Sequence, residues 1–139
     1  MVIKYQTFVN KNLLIVRFEG DFCIENYKAH VLDMVQKPEW SSINKFLVDL
    51  RFVTINNGTD IIDEIINIKE NIIKKKHISV QLVDKPKITA LSHLLQLELN
   101  NQDFDINFCS SVKKSIKLLE LNDDEIEFKK MLSSLEHTF

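Results

Sequence analysis

The chain has 139 residues, one domain's worth of polypeptide and enough to bury about two-thirds of its unfolded surface without a metal or a disulfide. Hydrophobic residues make up 45% and charged residues 27%, with a net charge of −2, so the profile is that of an ordinary globular domain and offers no basic face for nucleic acid. Cys23 and Cys109 show no CxxC spacing, no signal-peptide pattern opens the chain, and no segment approaches the roughly 18 uninterrupted apolar residues of a membrane span. The expectation is a cytoplasmic protein with reduced thiols and no membrane insertion.

Ile3, Tyr5 and Thr7 alternate with polar neighbours, Asn10-Lys11-Asn12 reads as a turn, and Leu13 to Phe18 is a second strand, ended by Gly20-Asp21. A helix is predicted from about Ile24 to Gln36, with Tyr27, Val31, Met34 and Val35 on one face and Pro38 forcing its end. Trp40 follows in a loop and is expected to fold back onto the domain. Phe46 to Leu50 has the composition of a strand covered on both faces.

Val53-Thr54-Ile55 then closes a turn, and Asn56-Asn57-Gly58-Thr59-Asp60 opens a second helix, predicted from about Thr59 to Lys76. Gly58 is one of only two glycines, where average usage gives roughly ten. A residue this rare at a strand-to-helix junction suggests positive φ or a close backbone approach. Ile61, Ile62, Ile65, Ile66, Ile68, Ile72 and Ile73 build the helix's buried face. Asp60, Asp63 and Glu64 at its start and Lys74-Lys75-Lys76 at its end complement the helix dipole, the lysines as a solvated terminus.

A fourth strand runs from Ile78 to Val83. Asp84-Lys85-Pro86 starts a third helix with its stripe at Ile88, Leu91, Leu94, Leu95 and Leu99. Phe104, Ile106 and Phe108 alternate as a fifth strand. Ser110 or Ser111 caps a fourth helix, and a last amphipathic segment begins near Asn122 or Asp123 with Phe128, Met131, Leu132 and Leu135 on one side. The order β-β-α-β-α-β-α-β-α-α implies right-handed crossovers and an α/β fold. The sheet is expected to be mixed, mostly parallel and five-stranded, with an N-terminal hairpin. Residues 1–121 form the main domain and 122–139 its C-terminal helical extension.

Leu14-Ile15-Val16-Arg17-Phe18-Glu19-Gly20, Phe46-Leu47-Val48-Asp49-Leu50-Arg51-Phe52-Val53-Thr54 with the helix from Thr59, and Ile106-Asn107-Phe108-Cys109-Ser110-Ser111-Val112 together resemble the SpoIIAA-like family of the STAS (sulfate transporter and anti-sigma-factor antagonist) superfamily. The resemblance spans about residues 3 to 120. It implies a regulatory protein-interaction module. Phospho-switch members of that family carry Asp-Ser-Ser-Gly after the third strand. Here Asn57 stands for the aspartate and Gly58 for the phosphorylated serine, which leaves Thr59 as the nearest hydroxyl and the one candidate for modification.

The candidate surface is therefore Asp49, Arg51, Asn56, Asn57, Gly58, Thr59 and Asp60. Asn57 and Thr59 can present a hydroxyl and helix N–H groups to an anion, or simply cap the helix. Asp49 and Arg51 can be a recognition pair or a rim salt bridge of small worth. His30, His77, His93 and His137 are scattered without metal-ligand spacing, and no Walker, GxSxG or paired-carboxylate signature occurs. The reading is non-enzymatic, without cofactor or metal. The alternative function is a carrier or sensor of a small apolar ligand: relatives of this fold include lipid-transfer domains, and the Ile- and Leu-rich second and third helices can line a groove. Expected partners are an unidentified protein and a second copy of the chain, joined through the last helix or the N-terminal hairpin, because an unburied apolar stripe marks an interface.

Overall fold

A computed structural model of the chain describes residues 1–56, 58–101 and 103–139. Val2–Phe8 (β1) and Leu13–Asp21 (β2) pair antiparallel. A single 3-10 turn over Val9–Lys11 joins them, closed by Asn12 in the left-handed region at φ 54, which asparagine tolerates better than most residues. Helix α1 (Ile24–Met34) stops two residues earlier than expected. A second 3-10 turn, Pro38–Ser42, then brings Trp40 back to stack on Phe46, ring centres 5.5 Å apart. Strand β3 (Lys45–Asp49) follows, then β4 (Val53–Thr54), α2 (Asp60–Ile68), β5 (His77–Leu82), α3 (Pro86–Leu99), β6 (Phe104–Cys109), α4 (Val112–Leu118), α5 (Glu125–Ser133) and β7 (His137–Thr138).

The sheet order is β6-β5-β3-β2-β1-β7, with β2, β3, β5 and β6 parallel and each βα unit laid beside the last. The α/β class and the mostly parallel sheet with its N-terminal hairpin are as the sequence predicts. Two strands are additional. Val53–Thr54 is no turn: it pairs parallel with Gly20 and Asp21 at the end of β2. The extension beyond residue 121 is not purely helical, because His137–Thr138 pairs with Lys4 and Tyr5 and covers the outer edge of β1. Two-residue strands carry no periodicity, so only the pairing reveals them.

The pleat divides the strands between two layers. Leu14, Val16, Phe18, Phe46 and Val48 face α1 and α2, against Val31, Met34, Ile68 and Ile73. Leu13, Ile15, Leu47, Val80 and Leu82 face α4 and α5. Phe128 of α5 is fully buried there and Leu132 nearly so. The stripe of the last helix is thus covered by the chain's own sheet and needs no second copy. Ser111 caps α4 through its hydroxyl, and Asp124 caps α5.

The second helix departs most from expectation. Its α-helical part ends at Ile68, and Lys69–Ile73 forms a π turn, sealed by the Lys74 amide donating to the Lys69 carbonyl at 2.9 Å. Lys74 then leaves the helix with φ 60. Of the lysine run, Lys74 at the helix end and Lys76 are exposed as expected, but Lys75 folds back, its Nζ 4.1 Å from the Trp40 ring centre and donating to the Trp40 carbonyl. A π turn adds one residue to its turn and shifts the buried face. Leu94, expected on the α3 stripe, stays exposed. Among the described residues no helix is long and apolar enough to cross a membrane.

Candidate functional site

The structure separates the sequence candidates into two groups. Asp49 ends β3 on the side facing α5 and is completely buried, so it is neither a rim residue nor available to a partner. It receives Arg51 in a two-pronged pair, Nε to Oδ1 and Nη2 to Oδ2, both at 2.8 Å, and Arg17 Nε at 3.3 Å. Arg17 also donates to the carbonyl of Leu132 in α5, tying the terminal helix to the end of the sheet. Both guanidinium groups pack on Phe52, at 4.7 and 5.5 Å from its ring centre, while that ring stays half exposed. Arg17 and Phe52 were not among the sequence candidates. Two arginines on one buried carboxylate become visible only when β2 and β3 are paired.

The remaining candidates precede or open α2. Thr59 occupies the N-cap position but accepts no capping hydrogen bond, and it is exposed. Asn56 donates to Asp21 at 3.4 Å, and Asp60 lies exposed in the first turn. A Cβ built on Gly58 meets nothing nearer than Asp60 Oδ1 at 3.6 Å, ordinary contact, so no close approach demands glycine there. The glycine with a left-handed backbone is Gly20, at φ +88. Asn57 lies outside the described residues.

Beneath this loop are two adjoining apolar cavities between the sheet and the helices α1, α2 and α3. The first, about 60 Å³, is lined by Ile55, Ile61 and Ile62 among others, so the loop carrying the candidates is anchored in its wall at both ends. The second, about 40 Å³, lies towards Trp40 and Met34. Phe18, Tyr27, Val48 and Lys69 line both.

Lys69 is the unexpected residue. It is 4% exposed and makes no hydrogen bond or ion pair with any described residue. Burial alone lowers its pKa to about 8. Gln81 and Ser92 are buried at the first cavity, and burial pushes the Tyr27 phenol up. His30 lines the second cavity; burial is the main cause of a pKa lowered to about 4, and its Nε2 has no partner among the described residues. His77, at the start of β5, donates through Nδ1 to the Lys75 carbonyl at 2.8 Å. Burial first, and then the charge of Lys69, lower its pKa to about 3. No aspartate or glutamate lines either cavity. Apolar walls with a few convergent polar groups and a perturbed amine are the usual marks of a small-molecule site.

A signal for Lys69 was present in the sequence. It stands four residues after Ile65 and eight after Ile61, on the apolar stripe of the second helix, where a charge is out of place. Among the described residues no cluster of three or more histidine, cysteine or acidic side chains can hold a metal. No family model matches the chain, and no curated protein matches it.

Proposed function

We propose that the protein is a non-enzymatic regulatory module of SpoIIAA/STAS-like type that senses a small apolar ligand and presents the outcome to a protein partner on the loop from Asn56 to Asp60. The observation that carries this reading is Lys69: a buried lysine that lines both apolar cavities and has no partner among the described residues. Leaving an amine so placed is unfavourable for folding alone, and sites that accept such a burden are commonly functional. The readout follows from the anchoring of the loop. Ile55 precedes it, Ile61 follows it, and both line the first cavity. Occupancy therefore acts on the same segment that resembles the contact surface of the family.

The cavity volumes limit the ligand. At ~10–15 Å³ for each water-sized group, the two chambers together accommodate roughly seven to ten such groups. A long acyl chain does not fit this arrangement, so a small-molecule sensor is favoured over a lipid carrier. Titration of the isotope-labelled protein with toluene, followed by amide chemical shifts, tests the reading. Shifts at Tyr27, Ile61 and Lys69 together with Asn56 to Asp60 are expected. An unperturbed spectrum at toluene saturation would reject a ligand site here.

A second reading has its own observation. The half-exposed Phe52 ring, steadied by Arg17 and Arg51, is a rigid aromatic contact at the carboxyl end of β3, suited to a protein partner without any ligand. In that case Phe52→Ala abolishes recovery of a specific partner from native cells, while filling the cavity changes nothing.

A further inference from the structure

We infer that the ligand is a small apolar carboxylic acid, held as its carboxylate against the ammonium of Lys69. This rests on the ligand-sensing reading above and names the chemistry that the site selects. Lys69 is 4% exposed and lines both cavities, so the side chain is almost wholly enclosed and lies next to open space. None of the residues lining either cavity is acidic, and no described residue accepts a hydrogen bond from it, so the compensating charge comes from the occupant. The helix fixes this placement: the Lys69 amide donates to the Ile65 carbonyl, which keeps Lys69 on the face of Ile61 and Ile65, next to the buried Ile68.

One lysine balances one negative charge. A phosphate carries nearly two at neutral pH, and no second cation lines the chambers. A carboxylate has two oxygens to satisfy beyond the ion pair. Gln81, Ser92 and Tyr27, all at the first cavity, supply neutral donors of the required kind. Phe18, Val48, Ile61 and Ile62 leave the rest of the chamber to hydrocarbon. The volumes admit a branched aliphatic or monocyclic aromatic acid of about nine heavy atoms or fewer.

The test compares benzoate with benzamide, its neutral counterpart of the same size, on the full-length protein by calorimetry at pH 6.5, with toluene as the uncharged apolar probe. Benzoate is expected to bind at least about tenfold more tightly than benzamide, the advantage of a desolvated charge-assisted pair. Lys69→Met is expected to remove that preference and keep toluene binding. The unmodified protein gives an independent readout. Its benzoate affinity falls as the pH is raised from 8 towards 10 and Lys69 loses its proton, whereas benzamide affinity stays level. The other titratable groups facing Lys69 stay neutral over that interval: Tyr27 is pushed up by burial, and His30 and His77 are lowered to about 4 and about 3. Equal affinities for benzoate and benzamide, or a benzoate affinity indifferent to pH, would overturn the inference. Toluene binding without a benzoate preference rejects the carboxylate alone. Binding of none of the three removes the ligand reading with it. Should Lys69→Met fail to fold, the two comparisons on the unmodified protein still decide.

Discussion

Lys69, at the start of the π turn, and Tyr27, in α1, line the same two cavities, so two different helices each bring a polar side chain to both apolar chambers. The phenol is held neutral by burial and the amine is pushed towards neutrality by it. Lys69 is buried and Tyr27 half-buried, and both lie under the loop between Ile55 and Ile61.

The buried amine sets the alkaline behaviour. Its pKa is about 8 in the folded state and 10.5 as a free side chain, so between those values the unfolded chain binds more protons and stability rises with pH. Below pH 8 the burden is fully present. Stability is expected to increase by up to about 3 kcal/mol between pH 8 and 10.5 from this group. Lys69→Met should stabilise the protein by about 1–3 kcal/mol at pH 7 and flatten the rise. Urea unfolding of both proteins at pH 7 and pH 10 measures it; parallel curves would show that Lys69 reaches water or a partner.

Acid acts through two buried histidines. His30 and His77 have pKa values lowered to about 4 and about 3. Unfolded histidine takes up its proton near 6.5, so their stabilising effect is present above that pH and is lost as the pH falls towards 3. A loss of about 3 kcal/mol or more from each is expected in unfolding experiments between pH 6.5 and 4. His77→Phe, set between Phe46 and Phe104, should shift the acid midpoint downward even though it gives up the bond to Lys75.

Asp49→Ala removes the carboxylate shared by Arg17 and Arg51. The aspartate is fully buried but the arginines are partly solvated, so the cost should be about 2–3 kcal/mol, less than for a wholly buried network. Thermal unfolding gives the value. The indole signal of Trp40, which stacks on Phe46 near the other end of β3, should be unchanged in the folded state.

Phe128→Ala opens a cavity between α5 and the sheet, and a loss of about 3–5 kcal/mol is expected. Sedimentation of the unmodified protein distinguishes the two places that this stripe can be buried. Its docking within the chain predicts that the variant loses stability with no change of oligomeric state, whereas dissociation of a dimer on substitution would show that α5 also serves a second copy.

Gly20 sits at φ +88, and a Cβ placed on it would have no atom within 4 Å, so strain rather than collision governs substitution there. Gly20→Ala should cost about 1 kcal/mol. Because Gly20 also pairs with Val53, the loss should appear as faster amide exchange at Phe22, whose amide donates to the Thr54 carbonyl.

The five main strands and the positions of the helices along the chain were legible because each rests on local periodicity. The apolar run Phe46 to Leu50 predicts a strand covered on both faces, and in β3 Phe46 packs in one layer and Leu47 in the other. Ser111 as a cap and Pro86 in a first turn are short-range signals of the same kind. The candidate surface was legible only in part. Asn56, Gly58 and Thr59 precede α2 and Asp60 opens it, as the turn residues predict, but Asp49 reads as a rim residue from its position at the end of an apolar strand.

The sequence by itself determined which residues seek the interior and in what rhythm, because the strand and helix periods are properties of the backbone. Tertiary structure alone decided the short pairings at Val53–Thr54 and His137–Thr138, which lack the length to leave a pattern. It decided that Asp49 binds two arginines, since Arg17 reaches it from a neighbouring strand 32 residues away. It also decided the fate of Lys69. Helical spacing puts Lys69 on the stripe, but a long side chain there can still lift its amine to water; it is enclosed because the sheet and the neighbouring helices pack around that face.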